Sequence, residues 1–285
     1  MVRFRFHLMP LSCRLWDILC VSQNGMLPVR IGGVMFGKLL RSIGVGGAKV
    51  DTIFQDTTCV PGGIIQGEVR IMGGNAQQDI ESISISVCTQ YEEEFDDHTY
   101  YKDVALLEER LCGRFTVQAG QEMSLPFSLQ LPLNTPVTHG HCKVWVHTGL
   151  DIKGAIDPKD RDYLSVLPHP LVNEFFGAAE RLGFRLREVD LEKSSHRNGQ
   201  VFKQEFEFKP VGGEFAGRLN EIEAEFKLSE NQVSVRLQVD RRARGLIGAI
   251  AESLDMDESY TGFTYGPQDI AHLDQILADA IRRYC

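Results

Sequence analysis

The sequence lacks paired cysteines and long apolar runs. Its seven cysteines are an odd number and include no CxxC pair, which favours a reducing, cytoplasmic compartment over a disulfide framework. We interpret Cys88 and Cys142 as small, buried apolar residues within strands. No run of about 18 apolar residues occurs, so the sequence predicts no membrane-spanning helix.

Basic residues are also scarce. The chain has 30 Lys and Arg against 39 Asp and Glu, which gives a formal net charge of −9. Phosphate contact requires clustered cations, so a general nucleic-acid-binding function is disfavoured. Residues 1–34 differ from the rest because they hold four arginines and one acid. We expect this segment to be a disordered or wrongly assigned N-terminal extension before Met35, where a more regular pattern begins.

Common catalytic and phosphate-binding motifs are absent from the sequence, including GxSxG, HExxH, GxGxxG and GxxxxGKS/T. We therefore predict a protein that is not an enzyme, with no catalytic residue, no cofactor and no metal.

One group of histidines offers an alternative. His139, His141 and His147 have the same strand parity beside Cys142, and imidazoles on one face can ligate zinc. At roughly 3.3 Å per residue, however, His147 lies about 20 Å beyond the pair. We predict exposed histidines here, and a zinc-dependent hydrolase is kept only as an alternative function.

Alternation of apolar and polar residues predicts many short strands in both halves of the chain. Such strands bury one face and leave the other in water, and glycine- and proline-rich turns separate them. A hairpin loop is predicted at Glu230, Asn231 and Gln232. The apolar faces comprise Val69 and Ile71; Ile83, Ile85 and Val87; Met123 to Leu131; Phe202, Phe206 and Phe208; Ile222 to Leu228; and Val233 to Val239.

Helical spacing predicts a short helix at 36–43, a central helix after Pro170 and a terminal helix from Pro267 to Arg283. The central helix follows Pro168, and we expect its apolar face to be buried between or beneath the sheets. The predicted fold class is therefore mainly β, with two tandem antiparallel β-sandwich domains, a central helix and a C-terminal helix. The predicted domain ranges are 35–167 for the first sandwich, 168–265 for the central helix with the second sandwich, and 266–285 for the terminal helix.

Two charged segments are candidate binding sites. Glu92, Glu93 and Glu94 begin an acidic run ending at Asp97, which we interpret as a solvated hairpin tip and, alternatively, as a docking loop for a basic partner.

The second segment is basic. Arg241, Arg242 and Arg244 form a dense patch whose guanidinium groups suit carboxylate or phosphate partners, and internal pairing with nearby acids is the simpler interpretation.

The sequence resembles a known family in several places. The segments LPFSLQLPLNTPVT (125–138) and CKVWVHTGLDI (142–152) are similar to the N-domain of arrestin-type proteins. The closer resemblance is to the bacterial stage-zero sporulation protein M family. The segments that carry it are FGKLLRSIGVGGAKVDTIF (36–54), VPGGIIQGEVRIMGGN (60–75), HPLVNEFFGAAERLGFRLREVDLE (169–192) and VDRRARGL (239–246).

The resemblance implies an arrestin-like fold and a regulator or scaffold of the sporulation-control type, without catalytic residues, that acts through protein partners. We expect a cytoplasmic protein that uses sheet edges, the two charged segments or the terminal helix. One rival function is a peripheral module that binds anionic lipid or phosphate through Lys38, Arg41 and the arginine patch. The partner itself is not predicted.

Overall fold

The computed structural model describes residues 47–96, 98–153, 159–194, 200–241 and 258–284, which belong to one compact unit. The predicted extension at 1–34 and the predicted helix at 36–43 lie outside these ranges. In chain order the strands are β1 (Lys49–Phe54), β2 (Thr58–Cys59), β3 (Ile64–Met72), β4 (Gln78–Phe95), β5 (His98–Cys112), β6 (Phe115–Val117), β7 (Glu122–Gln130), β8 (Val144–Ile152), β9 (Lys159–Val166), β10 (Phe184–Lys193), β11 (Phe202–Pro210), β12 (Leu219–Leu228), β13 (Val233–Arg241) and β14 (Glu258–Tyr265). The helices are α1 (Pro170–Arg181), a 3₁₀ helix (Pro267–His272) and α2 (Leu273–Arg282).

The first half is a β-sandwich. Strands β1, β3 and β7 form a three-stranded antiparallel sheet, and its apolar face packs on the sheet that contains β4, β8 and β9. The alternation in the sequence explains this arrangement, because Val69 and Ile71 on β3 and Ile83, Ile85 and Val87 on β4 are all buried in one core. The polar residues between them lie on the opposite faces and are half-buried.

Strand β4 connects the two halves. It pairs with β5 and β6 on one side and with β8 on the other, all antiparallel. Near its end it also meets β10 in a parallel rung between Glu92 and Glu192. One continuous sheet therefore extends from the first half into the second.

The second half is built on an antiparallel meander in which β10, β11, β12, β13 and β14 pair in sequence order. Its apolar face carries a cluster of phenylalanines, and α1 contributes Phe175, which is fully buried among them. The predicted loop between β12 and β13 is confirmed, since Ser229 donates its backbone N–H to the Gln232 carbonyl at 3.0 Å. The predicted fold class, with its central and C-terminal helices, is confirmed.

The central helix α1 begins where the sequence predicts. Nδ1 of His169 accepts the Leu171 N–H at 3.2 Å, and Pro170 occupies the first turn. The helix ends before Gly183, whose φ of 91° lies in the left-handed region that favours glycine. Its apolar face is buried in the core of the second half, as expected.

The terminal segment starts with a 3₁₀ turn rather than an α-helical one. Helix α2 then buries one apolar face against α1 and β14, and a bidentate ion pair between Arg181 and Asp274 (2.7–2.8 Å) joins the two helices. The buried residues of α2 are Leu273, Leu277, Ala278, Ala280 and Ile281.

Strand β9 ends at Val166 and α1 begins at Pro170, so the predicted domain boundary at 167/168 falls between two elements. The division into domains stays a prediction.

Candidate functional site

The acidic run lies in a paired strand. We predicted a hairpin tip for it, but β4 continues to Phe95, and Glu92, Glu93 and Glu94 pair with Tyr101, Tyr100 and Thr99 of β5. Only the turn beyond Phe95 is left as the tip, and Asp96 there adopts a φ of 53°. The predicted tip is therefore too long: residues 92–95 have cross-strand partners, Asp96 lies in the turn, and Asp97 lies outside the described residues.

Strand parity separates the three glutamates. Residues directly opposite each other in an antiparallel pair share a face, so Glu93 lies on one face of the hairpin while Glu92 and Glu94 lie on the other. Glu93 forms ion pairs with Lys102 and Lys193, and these bonds hold the pKa of its carboxyl group below the usual value. The Glu93 carboxylate is therefore already paired with two cations of the same chain.

The inner face of the hairpin, on the side of Glu93, also carries aromatic residues. Nearer the core, Tyr91 is buried and stacks on Phe202 of β11 with ring centroids 6.4 Å apart. Toward the turn, Phe95 is 72% exposed, and Tyr100 is 47% exposed with its ring edge-on to that of His98. Large apolar side chains that are exposed near one another are a common mark of an interaction site.

The outer face carries the other two glutamates beside polar and aromatic groups. The Tyr101 hydroxyl donates to the Glu92 carboxylate, which raises the pKa of Tyr101, and the Tyr101 side chain is 57% exposed. One row further along, Gln90 donates to Asp103 at 2.9 Å.

Beyond these rows, an arginine crosses the same outer face. Arg161 of β9 reaches toward Asp103 (Nη2 to Oδ2, 3.6 Å), and its guanidinium carbon lies 4.5 Å from the ring centroid of Trp145 on β8. Tyr163, which is 56% exposed, lies edge-on to Trp145 with ring centroids 6.3 Å apart. Carboxylates, tyrosines and one guanidinium therefore meet on a single sheet face.

Only part of the predicted arginine patch falls within the described residues. Arg241 is exposed at the end of β13, where it pairs in register with Leu219, whereas Arg242 and Arg244 lie outside the described residues. Lys38 and Arg41 of the predicted basic helix also lie outside them. The alternative function, binding of anionic lipid or phosphate, therefore stays a prediction.

The histidine group is spread over a turn and a strand. His139 and His141 are exposed in the turn before β8, and His147 is half-buried within β8. Cys142 precedes β8 rather than lying in a strand, and its buried thiol donates to the Val189 carbonyl (3.4 Å). Burial raises its pKa to about 11. In the described part of the chain, no group of three or more His, Cys, Asp or Glu residues is arranged to hold a metal ion.

A cleft of about 440 Å³ lies between the two halves. One wall is formed by 104–106 of β5 and by the connection 133–137, and the other by β11, β12 and β13. Phe202, Phe206 and Phe226 give it an apolar floor. Two of the cations that line it form ion pairs: Lys203 pairs with Glu205, and Arg236 with Glu225 at 2.5 Å.

Sequence reasoning missed Asp103, Arg161, Trp145 and Tyr163 as members of a shared surface. The signal that finds them is the register of four strands, because β5, β4, β8 and β9 lie side by side. Single-strand alternation does not contain that information.

Among the described helices, none is long and apolar enough to cross a membrane.

Comparison with known proteins gives consistent matches over most of the chain. The family model described as SpoOM protein matches residues 36–243. The sporulation-control protein spo0M of Bacillus subtilis (strain 168) is 38% identical over 253 residues, which are 87% of this chain and 98% of that protein. The crystal structure of Spo0M from Bacillus subtilis is similar with a TM-score of 0.76 and 37% identity; the match covers 85% of this chain and all of that one.

Proposed function

We propose a function for this chain on the basis that it belongs to the SpoOM protein family. In this proposal it is a non-enzymatic regulatory or scaffold protein that acts through contacts with other proteins. The relative from Bacillus subtilis is named a sporulation-control protein, which supports a regulatory role. We further propose that it works in the cytoplasm, and the four free cysteines among the described residues support a reducing compartment.

The observation that carries the proposal is the aromatic end of the β4–β5 hairpin. Phe95, Tyr100 and Tyr101 are all about half exposed or more, and they lie within a few residues of the turn. Tyrosine and phenylalanine are enriched where proteins contact each other, because they bury a large area at little cost in conformational entropy. A protein partner at this end of the hairpin covers apolar surface that otherwise stays in water.

Strand β5 supports the same site. It spans 15 residues, and in the described part of the chain it pairs with β4 on one edge only. An unpaired strand edge can accept an extended segment of another protein. The aromatic turn and the open edge are continuous, so one partner can contact both.

Site-specific photo-crosslinking tests the proposal. A photoreactive phenylalanine analogue in place of Tyr100 is compared with the same analogue in place of Glu230, which is exposed in the β12–β13 loop. We expect a defined protein to be crosslinked in cells from position 100 and not from position 230, and the Phe95→Ser variant to lower the yield. Equal labelling from both positions, or none from position 100, contradicts this function.

A further inference from the structure

The outer face of the hairpin continues into a strip of acidic and aromatic residues that come from three strands, β4, β5 and β9. We name it the outer strip: Glu92, Glu94, Tyr101, Asp103 and Tyr163. The two tyrosines are more than half exposed, and the Asp103 side chain is 51% exposed. Glu94 is exposed near the turn, and Glu92 is half-buried beside Tyr101. The strip thus offers carboxylates and ring faces to the same side of the sheet.

The chain already places one guanidinium at this surface. Arg161 stacks on Trp145 at 4.5 Å and reaches toward Asp103, so that Trp145 is only 3% exposed although it lies on the outer face. Guanidinium groups stack on aromatic rings and bond to carboxylates, which is the arrangement seen here. The Arg161–Asp103 distance of 3.6 Å is long for a hydrogen bond. Asp103 also accepts from Gln90 at 2.9 Å, and because a carboxylate has about four acceptor sites it keeps room for a further donor.

We infer that the outer strip binds an arginine-rich segment of a partner protein. The inference rests on the proposed function and names the chemistry of the partner. An incoming arginine bonds to Glu92 or Asp103 and stacks on Tyr101 or Tyr163, repeating the contacts that Arg161 makes with Asp103 and Trp145. The net charge of −9 adds long-range attraction for a cationic segment.

A direct binding measurement uses a short, fluorescently labelled peptide with four arginines spaced by glycine and serine. The strip variant is Glu92→Gln with Asp103→Asn, and the matched control is Glu180→Gln with Glu230→Gln, which removes two exposed carboxylates from the second half. At about 150 mM salt, we expect the strip variant to bind roughly tenfold more weakly, whereas the control changes affinity less than about twofold. Equal weakening in both variants means attraction by net charge alone and overturns the inference.

Two further variants test the aromatic part and the role of Arg161. Tyr101→Ala is expected to weaken peptide binding and Tyr101→Phe to retain it, because the ring face and not the hydroxyl contacts the cation. Arg161→Ala uncovers Trp145 and releases Asp103, so we expect tighter binding and a change of tryptophan fluorescence on titration. Weaker binding by Arg161→Ala contradicts the assigned surface.

The outcome also separates this inference from the proposed function. If a protein is crosslinked from position 100 but the arginine peptide does not bind, the partner chemistry is wrong and the protein-binding function stands. If the peptide binds through the strip and no protein is crosslinked, the surface chemistry stands and the proposed function fails. Failure of both experiments removes both.

Discussion

The side-chain amide of Gln204 pairs with the backbone of Val137 in both directions. The Val137 N–H donates to Oε1 of Gln204 at 2.9 Å, and Nε2 of Gln204 donates to the Val137 carbonyl at 2.8 Å. Gln204 belongs to β11 in the second half, and Val137 belongs to the connection between β7 and β8 in the first. A single side chain therefore forms a pair of hydrogen bonds like that between two paired strand residues, and this pair connects the two halves across the cleft.

Replacement of Gln204 by leucine should destabilise the protein. Leucine fills similar volume but leaves the Val137 N–H and carbonyl without these partners, and we expect a loss of about 1–3 kcal/mol in the free energy of unfolding. Gln66→Leu is the matched control, because Gln66 is exposed and makes one long bond of 3.4 Å to Ser128. Urea unfolding of both variants measures the difference, and equal stability of the two would mean that the Gln204 bonds add nothing.

Tyr265 forms a second connection whose loss should be measurable. Its buried hydroxyl donates to the Leu171 carbonyl at 2.7 Å and so joins β14 to the first turn of α1. Tyr265→Phe should cost about 1–2 kcal/mol, since the carbonyl loses its donor in a dry site. Tyr284→Phe removes an exposed hydroxyl that donates to Tyr260 at 3.1 Å, and we expect that control to change stability by less than about 0.5 kcal/mol. Thermal unfolding that ranks the two variants in the opposite order contradicts the assignment.

Stability should depend on pH through Asp190 of β10. Burial, together with the neighbouring acids Glu188, Glu192, Glu92 and Glu207, raises the pKa of this carboxyl group from 3.8 to about 6. Because the folded-state pKa lies above the unfolded-state value, the protonated group stabilises the fold at low pH, and this contribution is lost as the pH rises through about 6.

The Asp190→Asn variant removes that dependence. At neutral pH it should be more stable than the parent by about 1 kcal/mol, a value reduced for solvent screening, and its stability should change less between about pH 7.5 and pH 5. Glu230→Gln, at an exposed loop position, serves as the control and should follow the pH profile of the parent. Unfolding curves at several pH values decide the matter; a parent and an Asp190→Asn variant with parallel profiles would contradict it.

Deletion of the chain after Pro267 should destabilise the second half rather than only remove a docking helix. Leu273, Leu277 and Ile281 are fully buried, so their loss exposes the core that they share with α1. We expect lower yield of folded protein and a broader unfolding transition. The surface variant Asp274→Asn tests the helix more gently, because the exposed ion pair with Arg181 contributes about 1 kcal/mol or less.

Local patterns in the sequence predicted most elements but not the contacts between distant ones. Alternation located β3, β4, β7, β11, β12 and β13 because each strand buries one face, and helical spacing located α1 and α2 for the same reason. The resemblance to the sporulation family is confirmed by the family model. The ion pair between Glu93 and Lys193 joins residues 100 positions apart, and its geometry depends on where β10 meets β4. Nothing within either segment specifies that meeting point.

The same limit applies to the candidate site. The sequence indicated Glu92, Glu93 and Glu94 together as one charged run, but strand parity turns Glu93 inward and the other two outward. The stacking of Arg161 on Trp145 depends on the register between β8 and β9, which offers His147 as the direct partner of Arg161. A side chain as long as arginine crosses to the next row, and single-strand alternation does not predict that reach.

The buried hydroxyl pair between Thr52 and Thr148 gives the last prediction. Their oxygens lie 2.7 Å apart and connect β1 in one sheet of the first half to β8 in the other. Thr52→Val or Thr148→Val alone should cost about 1–3 kcal/mol, because the remaining hydroxyl is buried without its partner. The double variant should cost less than the sum of the two, since both polar groups are then gone. Ser234→Ala removes one hydroxyl of an exposed pair with Thr264 and should be nearly neutral. A double-mutant cycle by urea unfolding measures the coupling, and strictly additive losses would show that the two hydroxyls do not stabilise each other.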